Sequence, residues 1–189
     1  MPVLSDAVLC VWMVFWIYWL VSATGAKKNI ASGLRQFAAV RLVLIVLAII
    51  LIRFTPHKTN IFGGSRLVNG GEAMQVMGFV LFLAGLALAI WARLYLGKNW
   101  GMPMTKKQNP ELVTNGPYSF IRHPIYTGLL VAILGSALAA NINLVGLLVL
   151  ATAYFIYSAT VEEKIMQTEF PKTYPAYRKK TKMLLPFVF

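Results

Sequence analysis

The stretch NGPYSFIRHPIY, residues 115–126, is a polar segment between long apolar runs of the chain. Gly116-Pro117 is a turn dipeptide, and the proline after His123 drives that histidine away from helical geometry. Pro124 suits the first position of a helix, where a backbone N–H group would have no partner. The stretch therefore predicts a rigid turn that brings two tyrosines, one arginine and one histidine to a helix start, whose free N–H groups attract negative charge.

Composition places the chain in a membrane. Hydrophobic residues make up 58% of its 189 residues and charged residues only 13%, whereas soluble domains carry about 25% charged residues. The sequence therefore predicts an all-α integral membrane protein, with a single membrane domain over residues 1–189. A net charge of +12 would suggest nucleic acid in a soluble protein. Here the charges lie between apolar runs, so membrane lipids are expected as partners and nucleic acid is not.

Five apolar runs predict about five transmembrane helices, because a bilayer core requires about 20 residues of helix. The first three runs form a predicted three-helix scaffold over residues 1–96, and the last two belong to residues 97–189. A cleaved signal peptide would need a basic start and a shorter apolar region than the first run has. The runs are Leu4–Ala23, Phe37–Phe54, Met74–Leu96, Tyr126–Ala140 and Leu144–Thr160.

The fourth run carries small residues at a spacing of four, namely Gly128, Ala132, Ser136 and Ala140. This spacing places them on one helix face, where small side chains let a neighbouring helix approach closely. The Asn-Ile-Asn sequence at residues 141–143 predicts a tight turn. The last two runs are therefore expected to form a tight helical hairpin.

Lysine and arginine residues predict the orientation in the membrane. With five passes, the first loop, the third loop and the C-terminal tail share one side of the bilayer. That side holds fifteen of the eighteen basic residues, and the other side holds Arg53, Lys58 and Arg66. Because basic loops stay on the cytoplasmic side, we expect the N-terminus outside. The stretch at 115–126 and a helical C-terminal tail are then expected in the cytosol.

Glu162 and Glu163 directly follow the fifth run. If the helix continues through them, Glu163 lies one turn beyond Ala159 on the same face and can approach Arg122 and His123. Simpler explanations exist, since glutamates at a membrane exit balance lysines and interfacial tyrosines and histidines are common. Two histidines and the lone Cys10 do not predict a metal site. The concentration of these residue types around one rigid turn favours a binding site.

Gly-Pro-Tyr at 116–118, Arg-His-Pro-Ile-Tyr at 122–126 and Glu-Glu at 162–163 together resemble the isoprenylcysteine carboxyl methyltransferase family. More widely, they resemble membrane methyltransferases that modify phospholipids and thiols. The likeness covers about half of the chain. It implies a methyltransferase that uses S-adenosylmethionine and acts on a lipophilic or lipidated substrate. It also makes residues 97–189 the cofactor-binding and catalytic half, with contacts at Leu112, Val113, Tyr118, His123, Pro124, Tyr126 and Glu163.

These residue types suit methyl transfer. In-line displacement at a sulfonium depends on alignment and on the exclusion of water. Aromatic faces such as those of Tyr118 and Tyr126 hold a sulfonium by cation–π attraction. Glu163 suits the cofactor's ammonium or ribose hydroxyl groups, and Arg122 or His123 suits its carboxylate. The resemblance thus makes Arg122 and Glu163 the predicted catalytic residues.

One position departs from the family's pattern. Prenylcysteine enzymes of the family carry a substrate-side arginine four residues before the glutamate that matches Glu163, and this chain has Ala159 there. The acceptor therefore stays open between a prenylcysteine, a phospholipid amine and a thiol. Two further classes also stay open: an NADPH-dependent membrane reductase, because sterol reductases share a similar Arg-His-Pro-x-Tyr segment, and a non-enzymatic membrane subunit.

Overall fold

The computed structural model describes residues 2–24, 27, 71–101, 108–140, 142 and 144–185. Within these ranges the regular structure is helical, and one isolated parallel bridge pairs Ile121 with Lys182. Two short 3₁₀ turns, Gly97–Asn99 and Gly116–Ser119, lie between the second and third helices. The α-helices are α1 Pro2–Ala23, α2 Glu72–Leu96, α3 Pro124–Ala139, α4 Leu144–Glu169 and α5 Tyr174–Lys180.

Three of these helices, α1, α2 and α4, are long and apolar enough to cross a membrane. They contain the first, third and fifth predicted runs, and α4 continues nine residues past the predicted end at Thr160. The second predicted run, Phe37–Phe54, lies outside the described residues. The 16 residues of α3 extend only about 24 Å, less than the roughly 30 Å of a bilayer core. The predicted number of five spans therefore stays a prediction.

The small-residue face of α3 packs against α2. A Cβ atom added to Gly128 would lie 2.6 Å from the carbonyl oxygen of Gly85, and one added to Gly78 would lie 2.6 Å from the backbone nitrogen of Ala139. Only glycine permits such an approach of two backbones. The predicted face is thus confirmed as a packing surface. Its partner is α2, and the predicted tight hairpin of α3 and α4 stays a prediction.

α1 covers this pair through aromatic side chains. Trp12 donates from Nε1 to Oγ of Ser136 across 3.1 Å, and its ring lies 5.5 Å from that of Phe82. Near the other end of α1, the buried guanidinium of Arg93 donates to the carbonyl oxygen of Ser22 at 2.6 Å. The same guanidinium stacks over Trp100 at 4.7 Å. These contacts join the ends of α1 and α2 beside the segment that carries the predicted site.

Candidate active site

The backbone of the stretch at 115–126 follows its prolines and glycine. Gly116 has a φ of +58°, a conformation that side chains disfavour, and Pro117 follows at the start of the 3₁₀ turn. His123 is non-helical, with φ −125° and ψ 58°, and Pro124 is the first residue of α3. The predicted helix start at Pro124 is therefore confirmed, two residues before the predicted apolar run.

The C-terminal end of the described chain holds this stretch from one side. The backbone N–H groups of Arg122 and His123 donate to the carbonyl oxygens of Lys182 at 2.8 Å and Met183 at 3.1 Å. Thr127 donates its hydroxyl to the carbonyl oxygen of Leu184 at 2.6 Å. Residues 181–185 therefore act as an extended strap that aligns the start of α3, and sequence periodicity alone does not reveal such a contact.

Arg122 is paired with Glu163. Its Nε donates to Oε1 of Glu163 across 2.6 Å, and both side chains are buried. Its Nη1 also donates to the carbonyl oxygens of Arg178 and Thr181. From the other side, Nε of Arg178 lies 3.2 Å from Oε2 of Glu163. The expected approach of Glu163 to Arg122 is confirmed, and two guanidinium groups share this carboxylate.

His123 lies between the two glutamates. Its Nδ1 is 3.5 Å from Oε2 of Glu162, and its Nε2 is 3.6 Å from Oε1 of Glu163. The second distance is too long for a good hydrogen bond, and the buried Nε2 has no hydrogen-bond partner among the described residues. Burial acts to lower the pKa of His123, but its interactions with the two glutamates outweigh burial and raise that pKa. The imidazole therefore favours its protonated form more than a free histidine does.

Aromatic side chains complete this cluster. The hydroxyl of Tyr126 donates to Oε1 of Glu162 across 2.5 Å, and its ring stacks on Phe155 with centroids 4.5 Å apart. Tyr177 donates to the carbonyl oxygen of Tyr118 at 2.7 Å. Burial raises the pKa of Tyr177 to about 12. Tyr177 is therefore a neutral donor at physiological pH.

A cavity of about 590 Å³ opens beside the cluster, within the size range of small-molecule sites. Of the predicted site residues, Arg122, Leu112, Val113, Tyr118, His123 and Tyr126 line it. Pro124 is buried at the start of α3. Glu163, also buried, lies behind the wall that Arg122 and His123 form, and neither Pro124 nor Glu163 belongs to the lining.

Several lining residues were not predicted. Glu162 lines the cavity together with Tyr154 and Phe155 of α4, and Trp16 and Trp19 of α1 form an opposite apolar wall. A helical signal was available for Glu162, because it lies seven residues after Phe155 and so shares its face of α4. The aromatic residues of α1 had no such signal, because their contact with the site depends on tertiary packing.

A polar clasp fixes one rim of the cavity. Nζ of Lys27 donates to Oδ1 of Asn99 at 2.8 Å, to the carbonyl oxygen of Asn109 at 2.8 Å and to Oε1 of Glu111 at 3.0 Å. Hydrogen bonds from Lys27 and Asn99 lower the pKa of Glu111. The clasp ties the segment that carries Leu112 to the ends of α1 and α2.

Comparison with known proteins gives one family and several relatives. The phospholipid methyltransferase family matches residues 73–173. Protein-S-isoprenylcysteine O-methyltransferase of Schizosaccharomyces pombe is 27% identical over 176 residues, which cover 90% of this chain and 67% of that protein. Protein-S-isoprenylcysteine O-methyltransferase B of Arabidopsis thaliana is 25% identical, with 89% of this chain and 84% of that protein covered. The cobalt-zinc-cadmium resistance protein CzcN of Cupriavidus metallidurans is 31% identical, with 67% of this chain and 56% of that protein covered.

Among the described residues, no group of three or more His, Cys, Asp or Glu side chains is arranged to hold a metal ion.

Proposed function

The chain belongs to the phospholipid methyltransferase family, and from this premise we propose that it transfers a methyl group from S-adenosylmethionine to a lipophilic acceptor. The observation that carries the proposal is the convergence of Arg122, His123 and Tyr126 with Glu162 and Glu163 around one cavity. Relatives named as protein-S-isoprenylcysteine O-methyltransferases support a membrane methyltransferase.

The residues at the cavity fit this cofactor. The buried Nε2 of His123, without a hydrogen-bond partner among the described residues, suits a carboxylate or hydroxyl group of the ligand. The faces of Tyr118 and Tyr126 suit a sulfonium. S-adenosylmethionine, when bound, supplies a methyl group on a positively charged sulfur. We propose that Leu112 and Val113 pack against it from the clasped rim.

Glu163 has a supporting role in this proposal. Its carboxylate orients the guanidinium of Arg122 and raises the pKa of His123 together with Glu162. Pro124 likewise acts through the helix start that it defines. In this arrangement the predicted contacts of Glu163 and Pro124 with the cofactor are indirect.

The acceptor is proposed to enter from the membrane. The wall of the cavity that α1 contributes consists of Trp16, Trp19, Leu20 and Ala23, and this wall is apolar and belongs to a helix long enough to span the bilayer. An apolar chain can lie there without exposing its methylene groups to water. The charge distribution of the loops supports a site on the cytosolic face, with the N-terminus outside and five spans.

Equilibrium binding of labelled S-adenosylmethionine to the detergent-purified protein tests the proposal. We expect micromolar affinity, about −8 kcal/mol, with competition by the demethylated cofactor. NADPH serves as the matched control. Binding of NADPH in place of S-adenosylmethionine would identify a reductase, and binding of neither would contradict enzymatic methyl transfer.

A further inference from the structure

Acidic side chains are concentrated at the cavity. The chain has eighteen basic residues and only six acidic ones, yet Glu111, Glu162 and Glu169 all line the cavity. Among the described residues, the basic side chains of the lining are Arg122 and His123. Arg122 is engaged by Glu163, and His123 lies between two glutamates. Such a lining favours a ligand group that donates a hydrogen bond or is positively charged, and it disfavours a negatively charged carboxylate.

The two adjacent glutamates of α4 have different environments. Glu163 has a guanidinium nitrogen at 2.6 Å from one oxygen and another at 3.2 Å from the other, and both contacts hold it in the charged form. Oε1 of Glu162 accepts from the hydroxyl of Tyr126, its Oε2 lies 3.5 Å from Nδ1 of His123, and its side chain is 24% exposed, against 6% for Glu163. Two carboxylates in unlike environments can take unlike roles, and Glu162 is the one of the two that lines the cavity.

Other lining groups are less suited to accept a proton. Glu111 is held by Lys27 and Asn99, and its side chain is 73% exposed to water. Glu169 lies two turns further along α4, about 10 Å from the level of Glu162. Glu162 and Glu163 raise the pKa of His123, so a smaller fraction of its imidazole than of a free histidine is neutral and able to accept a proton. Of the described acidic residues of the lining, Glu162 is therefore the best placed to accept a proton.

We propose that Glu162 is the general base of this site and that the acceptor is a lipophilic thiol or amine, whose nucleophilic atom must lose a proton. This inference rests on the methyltransferase function proposed above. The S–H bond of the thiol, or one N–H bond of the amine in its ammonium form, breaks, and the proton forms an O–H bond with the carboxylate of Glu162. The electron pair stays on the acceptor atom and forms its new bond to carbon. The sulfonium donor gives up the methyl group and keeps the pair of the broken carbon–sulfur bond, so charge and electrons balance.

Binding to the cofactor-free protein tests whether Glu162 touches the acceptor. Decylamine and decanol share one apolar chain and differ in charge, and the tryptophans of the cavity wall report binding by fluorescence. Glu162→Gln is expected to weaken decylamine binding about tenfold, as for one charge-assisted hydrogen bond, and to leave decanol binding unchanged. Wild type and variant are compared in the same detergent, so partition into micelles cancels. Equal binding of decylamine by both proteins would overturn the proposal.

Turnover of two thiols tests the transfer of the proton. An aryl thiol is largely ionised at neutral pH and an alkyl thiol is not. Glu162→Gln is expected to slow methylation of the alkyl thiol about 100-fold or more, the usual contribution of a general base, with far less effect on the aryl thiol. Added formate is expected to restore methylation of the alkyl thiol in Glu162→Ala. Glu72→Gln, at the exposed start of α2, is the matched control.

The outcomes separate this inference from the proposed function. Failure of the wild-type protein to bind S-adenosylmethionine overturns the methyltransferase itself. Cofactor binding with methylation of a prenylcysteine carboxylate alone, or with equal losses for both thiols in Glu162→Gln, overturns only the role of Glu162. Loss of cofactor binding in Glu162→Gln does the same, because it makes Glu162 a cofactor ligand. If that variant does not fold, Glu162→Asp keeps the charge and is expected to show the same selective loss for the alkyl thiol.

Discussion

Nε of Arg122 lies 2.6 Å from Oε1 of Glu163, although 41 positions separate the two residues in the chain. The side chains are only 9% and 6% exposed. A buried pair of this kind is costly to desolvate, so it is weak evidence for stability and better evidence for orientation. It locks the start of α3 to the end of α4, and it thereby places His123 and Glu162 on one wall of the cavity.

Removal of Glu163 should therefore destabilise the folded protein much more than removal of Arg178, the second guanidinium that contacts its carboxylate. Glu163→Ala leaves the buried guanidinium of Arg122 unpaired, and we expect a loss of about 3–5 kcal/mol in the free energy of unfolding. Arg178→Ala removes a partner whose own side chain is 54% exposed, so it should cost about 0–1 kcal/mol. Denaturant unfolding in detergent measures both. Similar losses in the two variants would show that the pair with Arg122 does not dominate.

Protonation of His123 gives a pH dependence of stability with a definite sign. Its folded-state pKa is raised by Glu162 and Glu163, so its stabilising contribution is complete below the unfolded value of about 6.5 and is lost as pH rises through the folded pKa. Wild-type protein should thus lose stability relative to His123→Gln as pH rises above about 6.5. Glu162, Glu163 and Tyr126, the groups that face the imidazole, are unchanged in this variant.

Thermal unfolding of both proteins across that window provides the measurement, with the difference between their midpoints as the readout. The cofactor is left out, because its own titration would add a second pH dependence. A difference that stays constant with pH would mean that folding does not raise the pKa of His123.

Local chemistry explains which parts of this arrangement the sequence predicts. Pro124 sets the start of α3, and Gly116 sets the turn before it, because each constrains its own backbone. The approach of Glu163 to Arg122 follows once α4 is taken to continue past Thr160. The strap at residues 181–185 and the aromatic wall that α1 contributes to the cavity depend on contacts between distant segments. Periodicity within one helix carries no information about such contacts.

The partner of the small-residue face shows the same limit. Small residues at every fourth position predict that another helix approaches α3, but they do not identify that helix. The residues of α2 that permit this approach are Gly78 and Gly85. They lie among larger apolar residues in the sequence and do not form a pattern that predicts a packing face. Their complementarity to Gly128 becomes evident only when both helices are placed together.

Added volume on this face should separate the two helices. Ala132 is fully buried, and Ala132→Leu is expected to cost about 1–3 kcal/mol, as overpacking does in other well-packed interiors. Cofactor affinity should fall as well, because α3 carries Tyr126 into the cavity. Leu134→Phe adds volume at an exposed position of the same helix and is the matched control. Equal stability of Ala132→Leu and Leu134→Phe would contradict the close packing of α2 and α3.

The proposed orientation can be tested with single cysteines. Cys10 is first replaced by serine, because it is the only cysteine in the chain and is exposed. Cysteines at Lys106 and Lys179 are expected to react with an impermeant reagent only after the membrane is opened, and a cysteine at Gly64 is expected to react in intact cells. The reason is the distribution of charge, with fifteen basic residues on the proposed cytosolic side and three on the other, a bias that fixes orientation during insertion. Reaction of the Gly64 and Lys106 positions from the same side would mean that α2, which lies between them, does not cross the membrane, and the proposed entry of the acceptor from the bilayer would lose its basis.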